Sequence, residues 1–497
     1  MLFLGIDLGT SSIKVSVVDA DTQQVVAAAT YPDTETAISV PQEGWAEQDP
    51  TLWWECTMQA IRRVIASGSF DATDIAAIGI AYQMHGLVLV DEAGQALRPS
   101  ILWCDSRAVP YGERLYKKIG AKRALSYLLN SPGNFTAAKL AWVMENEPAV
   151  YAQAERLLLP GDYLAQRLTG EATTSNSALS EGIFWDFLKN ELSQDLLAAL
   201  NFRPDLIPTI RPVFGEHGRL RREIAEMLGL KANIPVTYKA GDQPNNALSL
   251  NVLEPGEVAA TAGTSGVIYA VTDRVASDPK SRVNTFAHVN HQRGGQNRLG
   301  VLLCINGTGI LNRWVRDEFG AGLDYTTINR LAGSVRVGSE GVRVLPFGNG
   351  AERVLENRTL GAQISGLNFN LHNRAHVFRA AQEGIAFSLK FGLDIMGATG
   401  TQPAVIRAGR ANLFLSEVFG QSLVNVTQTP IELYDTDGAK GAALGAGIGL
   451  GFFAEPQEAF TKLKKLATIE PDASQSAAYQ DFYESWKDLL TKMLTDY

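Results

Sequence analysis

Cysteine is scarce: Cys56, Cys104 and Cys304 stand far apart with no paired spacing, which excludes a disulfide framework and a cysteine-based zinc site and fits a reducing cytosol. An excess of positive charge is missing too. Lys and Arg total 44 against 53 Asp and Glu, a formal net charge of −9, so no basic field holds a polyanion. This argues against nucleic-acid and anionic-membrane partners, but not against small phosphates bound by local amides. Long hydrophobic runs are also absent. The weakly polar stretch Gly441–Ala454 is glycine-rich, shorter than the roughly 18 to 20 residues of a membrane span, and reads as a buried helix. The opening residues, Met1 to Asp7, show no basic leader, so a cytoplasmic location is expected. No P-loop, His-Glu-x-x-His or Gly-x-Ser-x-Gly motif occurs. Gly445, Gly447, Gly449 and Gly451 miss the dinucleotide-binding register because Leu450 stands where the third glycine is required. What remains is a globular chain of 497 residues, 45% hydrophobic and 20% charged, long enough for two large domains.

The first thirty residues read as a tight hairpin: apolar Leu2–Ile6, a turn over residues 7 to 12, and a second strand Ile13–Val18. Gly9, Thr10, Ser11 and Ser12 are small, and leave backbone N–H groups open to an anion. Gly-Thr-Ser recurs at Gly263-Thr264-Ser265, again before an apolar strand, and the spacing of about half the chain suggests two domains of similar build facing one cleft. Asp49-Pro50 predicts a helix start, with Trp54, Met58, Ile61 and Ile65 on one face. Asp74–Ala81 predicts a strand delivering Gln83-Met84-His85-Gly86 to its end, where ligand sites gather in α/β sheets. Further helices are expected over Ala375–Met396, Gly438–Gly451 and around Tyr479–Met493, with a short strand at Ala404–Arg407.

The candidate chemistry rests on carboxylates beside these turns. Asp7, just before Gly9-Thr10, is placed to reach Mg²⁺, or is an ordinary turn aspartate. Lys14 offers one positive charge to a phosphate, or is an exposed strand lysine. Asp242 follows Ala240-Gly241, read here as a turn, and either accepts the proton of an attacking hydroxyl or caps a helix. His85 is a candidate for a polyhydroxylated ligand, and Trp103, Asp105 and Arg107 offer a stacking plane, an acceptor and a forked donor to sugar hydroxyls, or a surface ion pair.

Taken together these segments resemble the FGGY carbohydrate kinases nearly end to end. Gly5-Ile-Asp-Leu-Gly-Thr10 and Thr261–Gly266 are similar to the two phosphate motifs of that family. Trp45–Pro50 with Trp53-Trp54, Gln83–Gly86, Ile101–Arg107 and Leu159–Leu164 look like its xylulokinase branch. The resemblance implies an α/β fold of two actin-like, ribonuclease-H-type domains, residues 1–244 and 245–497, around a central nucleotide and sugar cleft. It implies ATP and Mg²⁺ as cofactors and a ketopentose, D-xylulose, as the phosphate acceptor. Asp242 would be the base and Asp7 would organise the metal. Met84, His85, Gly86, Trp103, Asp105 and Gln243 would line the sugar. Gly9, Thr10, Lys14, Gly263 and Thr264 would meet phosphates, and Gly409, Arg410 and Asn412 would border the adenine. Homodimers are usual in the family, although no exposed apolar stripe marks an interface here.

The chain departs from the family pattern at Gln243, where xylulokinases usually carry Asn. It also departs at Arg407-Ala408-Gly409 in place of three glycines, at Asn134 and Gln382, and at Phe347–Arg353. Kinases of ribulose, glycerol or gluconate are the alternatives within the class. An actin-like ATPase that holds a protein partner, or a sugar sensor, are the alternatives outside it.

Overall fold

The computed structural model describes residues 1–292, 294–398 and 400–496. The strands and helices that position the site are named in chain order: β1 Leu2–Leu8, β2 Ile13–Asp19, β3 Val25–Tyr31, α1 Pro50–Ala66, β4 Ile75–Tyr82, α2 Thr136–Asn146, α3 Pro160–Thr169, α4 Asn176–Glu181, β5 Val236–Gly241, α5 Asp242–Ser249, β6 Val258–Ala262, β7 Gly266–Thr272, β8 Asn284–Ala287, β9 Leu299–Ile305, α6 Gly309–Phe319, α7 Arg374–Ala398, β10 Ile406–Gly409, α8 Glu417–Thr427, β11 Ile431–Tyr434, α9 Gly438–Gly449, β12 Lys465–Ile469 and α10 Ala473–Asp496.

Two sheets of matching topology result. The first runs β5-β4-β1-β2-β3, with β1 parallel to β4 and antiparallel to β2. The second contains β11-β10-β6-β7-β9, with β6 parallel to β10 and antiparallel to β7, and carries β12 and β8 at its edges. The recurring Gly-Thr-Ser therefore marks the same hairpin in two copies of one design. The expected elements are present with shifted ends: β4 runs one residue later at both ends, β10 covers 406–409, and α9 ends at Gly449. Asp49 caps α1 through an acceptor bond from the Thr51 amide at 2.8 Å.

β1 is buried on both sides, which is why it reads as a continuous apolar run. Leu4, Ile6 and Leu8 face a core with Trp53 and Cys56 of α1 and Tyr163 and Leu164 of α3, while Phe3 faces a separate core with Ala442, Ala443 and Ala446 of α9. The second face admits only a very close helix. A methyl group on Gly5 would fall 1.9 Å from the Ala439 carbonyl oxygen, and one on Gly79 of β4 would fall 2.0 Å from that of Ala442. An alanine- and glycine-rich helix seated on glycines brings the two backbones into contact. The second sheet is covered by α7, α8 and α10 on one face, and on the other packs against Leu87, Phe135 and Leu140 of the first half.

Gly79→Ala should consequently lower stability by about 1–3 kcal/mol or more, because the helix must move to admit the methyl. Gly397→Ala in α7, with nothing within 4 Å, should be neutral or stabilising by up to about 1 kcal/mol. Urea unfolding of both variants reads the difference.

Candidate active site

The first hairpin turn is tied down from several directions. Thr10 Oγ1 donates to Gln83 Oε1 at 3.0 Å and accepts from Trp103 Nε1 at 3.1 Å, and the Thr10 carbonyl accepts from Thr36 Oγ1 and Gln48 Nε2. Gly9 closes the turn, its own amide engaged with the carbonyls of Asp7 and Ser12, so it supplies the bend and not the free amide expected of it. In the second hairpin the carbonyls of Gly263 and Thr264 accept from the amides of Gly309 and Ile310 at the start of α6. Asn412, left-handed with φ of 54°, places its side-chain amide 3.6 Å from where a methyl on Gly263 would lie. Gly409 and Arg410 sit at the end of β10, the strand that pairs with β6.

Asp7 and Asp242 face the cleft from the ends of β1 and β5. Asp7 packs against Gly438, where a methyl would come within 2.4 Å of its carboxylate, and Lys14, exposed, is its register partner on β2. Burial raises Asp7 to about 6, with Lys14 opposing and Asp437 adding. Asp242 is raised further, to about 7, by burial and by the charge of Asp7, while N–H groups of Gln243 hold its ionised form. Residues 240 and 241 are the end of β5, not a turn, and Asp242 is the first residue of α5 with no capping bond from a side chain. Its carboxylate is thus left for chemistry. A carboxylate of this acidity is matched to taking a hydroxyl proton near neutral pH. Gln243 Oε1 is buried without a partner and suits a ligand hydroxyl.

The segment Gln83–Gly86 follows β4. His85 takes φ of 63°, and its carbonyl accepts from Lys139 Nζ at 2.8 Å and Thr136 Oγ1 at 3.2 Å. Burial is the main reason that Lys139 falls to about 7. The His85 ring bonds to the Glu181 carbonyl through Nδ1 at 3.1 Å. Since a carbonyl only accepts, Nδ1 carries the proton and Nε2 is an acceptor. Burial, reinforced by Lys139, pushes His85 down to about 3, so it serves as a neutral hydrogen-bonding group. Met84 packs against Gly241, and Gly86 lies against Pro160.

Asp105 does not line the cleft. It is wholly buried, and its carboxylate is spent on Arg107 and on the Ala46 amide at 2.6 Å. Arg107 also binds Glu47, with its guanidinium 3.7 Å from the Trp45 ring centre and 4.9 Å from that of Trp142. This buried set replaces both the sugar contact and the surface ion pair considered from sequence. It holds the loop that presents Trp103, which is 45% exposed. Arg407 lies on the same strand as Gly409 and binds the Asn251 carbonyl, with Glu257 and Glu432 nearby.

Glu181 escaped sequence reasoning. It ends α4, is buried, leaves Oε1 without a partner, and sits against Gly241 and Met84. Burial and the charge of Asp242 raise its pKa well above the carboxylate range. No motif surrounds it, so no local signal could have found it. Among the described residues no three His, Cys, Asp or Glu side chains form a metal cage. Asp7 and Asp242 nonetheless present hard carboxylate oxygens with little compensating charge. Mg²⁺, which keeps most of its waters, fits such a pair better than a closed site.

Comparison with known proteins bears on this arrangement. The N-terminal-domain model of the FGGY family of carbohydrate kinases matches residues 2–249, and its C-terminal-domain model matches residues 258–454. The chain belongs to the FGGY family of carbohydrate kinases. This family member is 32% identical to a xylulose kinase of Escherichia coli, over 99% of both chains. Its fold matches the crystal structure of a xyloylose kinase from Brucella ovis at a TM-score of 0.89 and 28% identity, over 99% of both chains. A gluconate kinase of Lactobacillus acidophilus shares the fold at a TM-score of 0.90 and 21% identity, covering 100% of this chain and 99% of that one. The fold is therefore the two-domain, actin-like architecture of sugar kinases, with ATP as co-substrate. No helix among the described residues is long and apolar enough to cross a membrane.

In this kinase Asp242 is a charge held at a cost to folding. Its native value of about 7 lies above the ordinary aspartate value of 3.8, so ionisation opposes folding: the penalty is small near pH 4, grows up to pH 7 and is constant above. Asp242→Asn should match the wild-type melting temperature at pH 4 and exceed it increasingly towards pH 8, in calorimetry without nucleotide.

Proposed function

We propose that the chain transfers the γ-phosphoryl group of ATP to the 5-hydroxyl of D-xylulose, giving D-xylulose 5-phosphate and ADP. The observation that carries the mechanism is the Asp242 carboxylate at the end of β5, raised to about 7 and held by Gln243 N–H groups. The xylulose kinases among its relatives support the substrate.

In this reading Asp242 takes the proton of the attacking hydroxyl late in an in-line transfer whose transition state is loose. Met84, His85, Gly86 and Gln243 orient the sugar, with His85 Nε2 and Gln243 Oε1 as acceptors for its hydroxyls. Trp103 fixes Thr10 and borders the same space. Amides of the Thr10 and Gly263–Thr264 loops, with Lys14, meet the phosphates, and Gly409, Arg410 and Asn412 border the base. Asp7 would hold Mg²⁺, which when bound neutralises charge on the phosphates. The lobe boundary at 244/245 falls inside α5, which touches strands of both sheets; the helix is their joint. Glu181 is kept protonated behind Asp242, so that a third negative charge does not arise there. We place the enzyme in the cytoplasm, as a homodimer.

ADP release should be fast with D-xylulose and slower with ribulose, glycerol or gluconate. Asp242→Asn should cut kcat by about 10²–10⁴. Turnover within about tenfold of wild type in that variant would remove Asp242 as base, and preference for another polyol would move the substrate while keeping the chemistry.

A further inference from the structure

The segment between the strands Arg343–Leu345 and Gln363–Ser365 comes from the second half of the chain and is anchored at the cleft by Glu352. That residue is fully buried and accepts from the amides of Asn306 and Gly307 at 3.1 and 3.2 Å. Its neighbour Arg353 reaches across to the first half. The guanidinium carbon lies 5.2 Å from the Phe135 ring centre, and a terminal nitrogen lies 3.6 Å from where a methyl on Gly133 would be. The Phe135 ring meets the His85 ring edge-on at 4.8 Å. Arg353 is near enough to His85 for its charge to help keep the imidazole neutral, and it also feels Cys304.

The Arg353 side chain makes no hydrogen bond or ion pair among the described residues. The arginines whose side chains are buried, Arg98, Arg107 and Arg379, are each paired with carboxylates. Burial lowers the basicity of Arg353, yet a guanidinium stays charged at neutral pH and carries five N–H donors in a rigid fork. Arg353 is partly exposed, so its charged donors are reached from solvent and lack protein acceptors. They point to a ligand that supplies acceptors. Cys304 bonds to Ser265 of the second hairpin and feels the charges of both Arg353 and Asp242, so the guanidinium is within reach of that hairpin as well as of His85. Its contact with Phe135, the ring that meets His85, favours acceptors from the sugar, at the end away from the reacting hydroxyl.

We propose that Arg353 is a specificity-determining residue of the sugar site, its N–H fork donating to the carbonyl oxygen of the open-chain ketose and to the hydroxyl on the neighbouring carbon. The proposal rests on the ketose-kinase reading above. A planar carbonyl and the adjacent oxygen match a two-pronged donor, and a polyol without the carbonyl matches it less well.

The test compares wild type with R353Q and R353K on D-xylulose and on D-arabinitol, which carries a hydroxyl in place of the carbonyl. R353Q should raise KM for D-xylulose about tenfold or more while kcat and KM for ATP change little. The preference for the ketose over the pentitol should fall by a similar factor, and R353K, which keeps the charge without the fork, should recover only part of it. If R353Q does not fold, the R353K values are read alone in the same way. Unchanged KM for D-xylulose would overturn the proposal. So would a fall in kcat at constant KM, which would put the guanidinium on the transferred phosphoryl group instead. If wild type phosphorylates no ketose, the kinase reading fails on its own, and calorimetric titration with D-xylulose alone then decides Arg353: binding lost in R353Q supports it, and equal or absent binding overturns it.

Discussion

The contact between α9 and the first sheet organises the cleft. Because Gly5 and Gly79 have no side chains, a helix built largely of glycine and alanine rests directly on β1 and β4, and its first residue, Gly438, comes to lie against the Asp7 carboxylate. Asn245 of α5 donates to the Gly438 carbonyl at 2.9 Å, so the helix that begins with Asp242 is pinned to the same point. Two carboxylates on separate strands are thereby held near each other by one backbone approach. Remove the close approach and neither the distance between them nor their shared loss of acidity would persist.

The cleft is a place where the protein tolerates electrostatic disfavour. Asp7 and Asp242 are raised by burial, Lys139 and His85 are lowered, and Arg353 lacks an acceptor. Elsewhere buried charge is matched. Lys239 donates to Asp162 and to the Thr173 carbonyl, both at 2.6 Å, and Arg379 pairs with Glu383 at 2.7 Å. The contrast separates groups that hold the fold together from groups awaiting ligands, since unsatisfied charge is retained where function offsets its cost.

How much of this was legible in the sequence depended on whether the information was local. The two hairpins, the cap at Asp49 and the helices over 374–398 and 438–449 follow from turn residues and apolar spacing within a dozen positions. Asp7, Thr10 and Asp242 could be picked out because they border those turns. Residues 240 and 241 were misread as a turn, because small residues at the end of a fully buried strand look like a bend. The fate of Asp105 could not be read either, since its neighbours Ala46, Glu47 and Trp45 come from about sixty residues away. Glu181 and Arg353 share that difficulty: a carboxylate's missing partner, or a guanidinium's, is a property of the assembled cleft and leaves no trace in flanking residues.

The seat of α9 on the first sheet has a consequence for biosynthesis. Phe3, Ala77 and Tyr238, all in the first half, share a core with Ala442, Ala443 and Ala446, so one face of the earliest sheet stays bare until nearly the whole chain has left the ribosome. From the end of β5 at Gly241 to the end of α9 at Gly449, at roughly 5–20 residues per second, that wait lasts about ten to forty seconds. The second sheet is itself unfinished at that point, because β12 and the covering helix α10 follow α9 in the chain. Both lobes are therefore completed only near the end of synthesis, and the exposed apolar face of the nascent first lobe is the natural client surface for a chaperone during that interval.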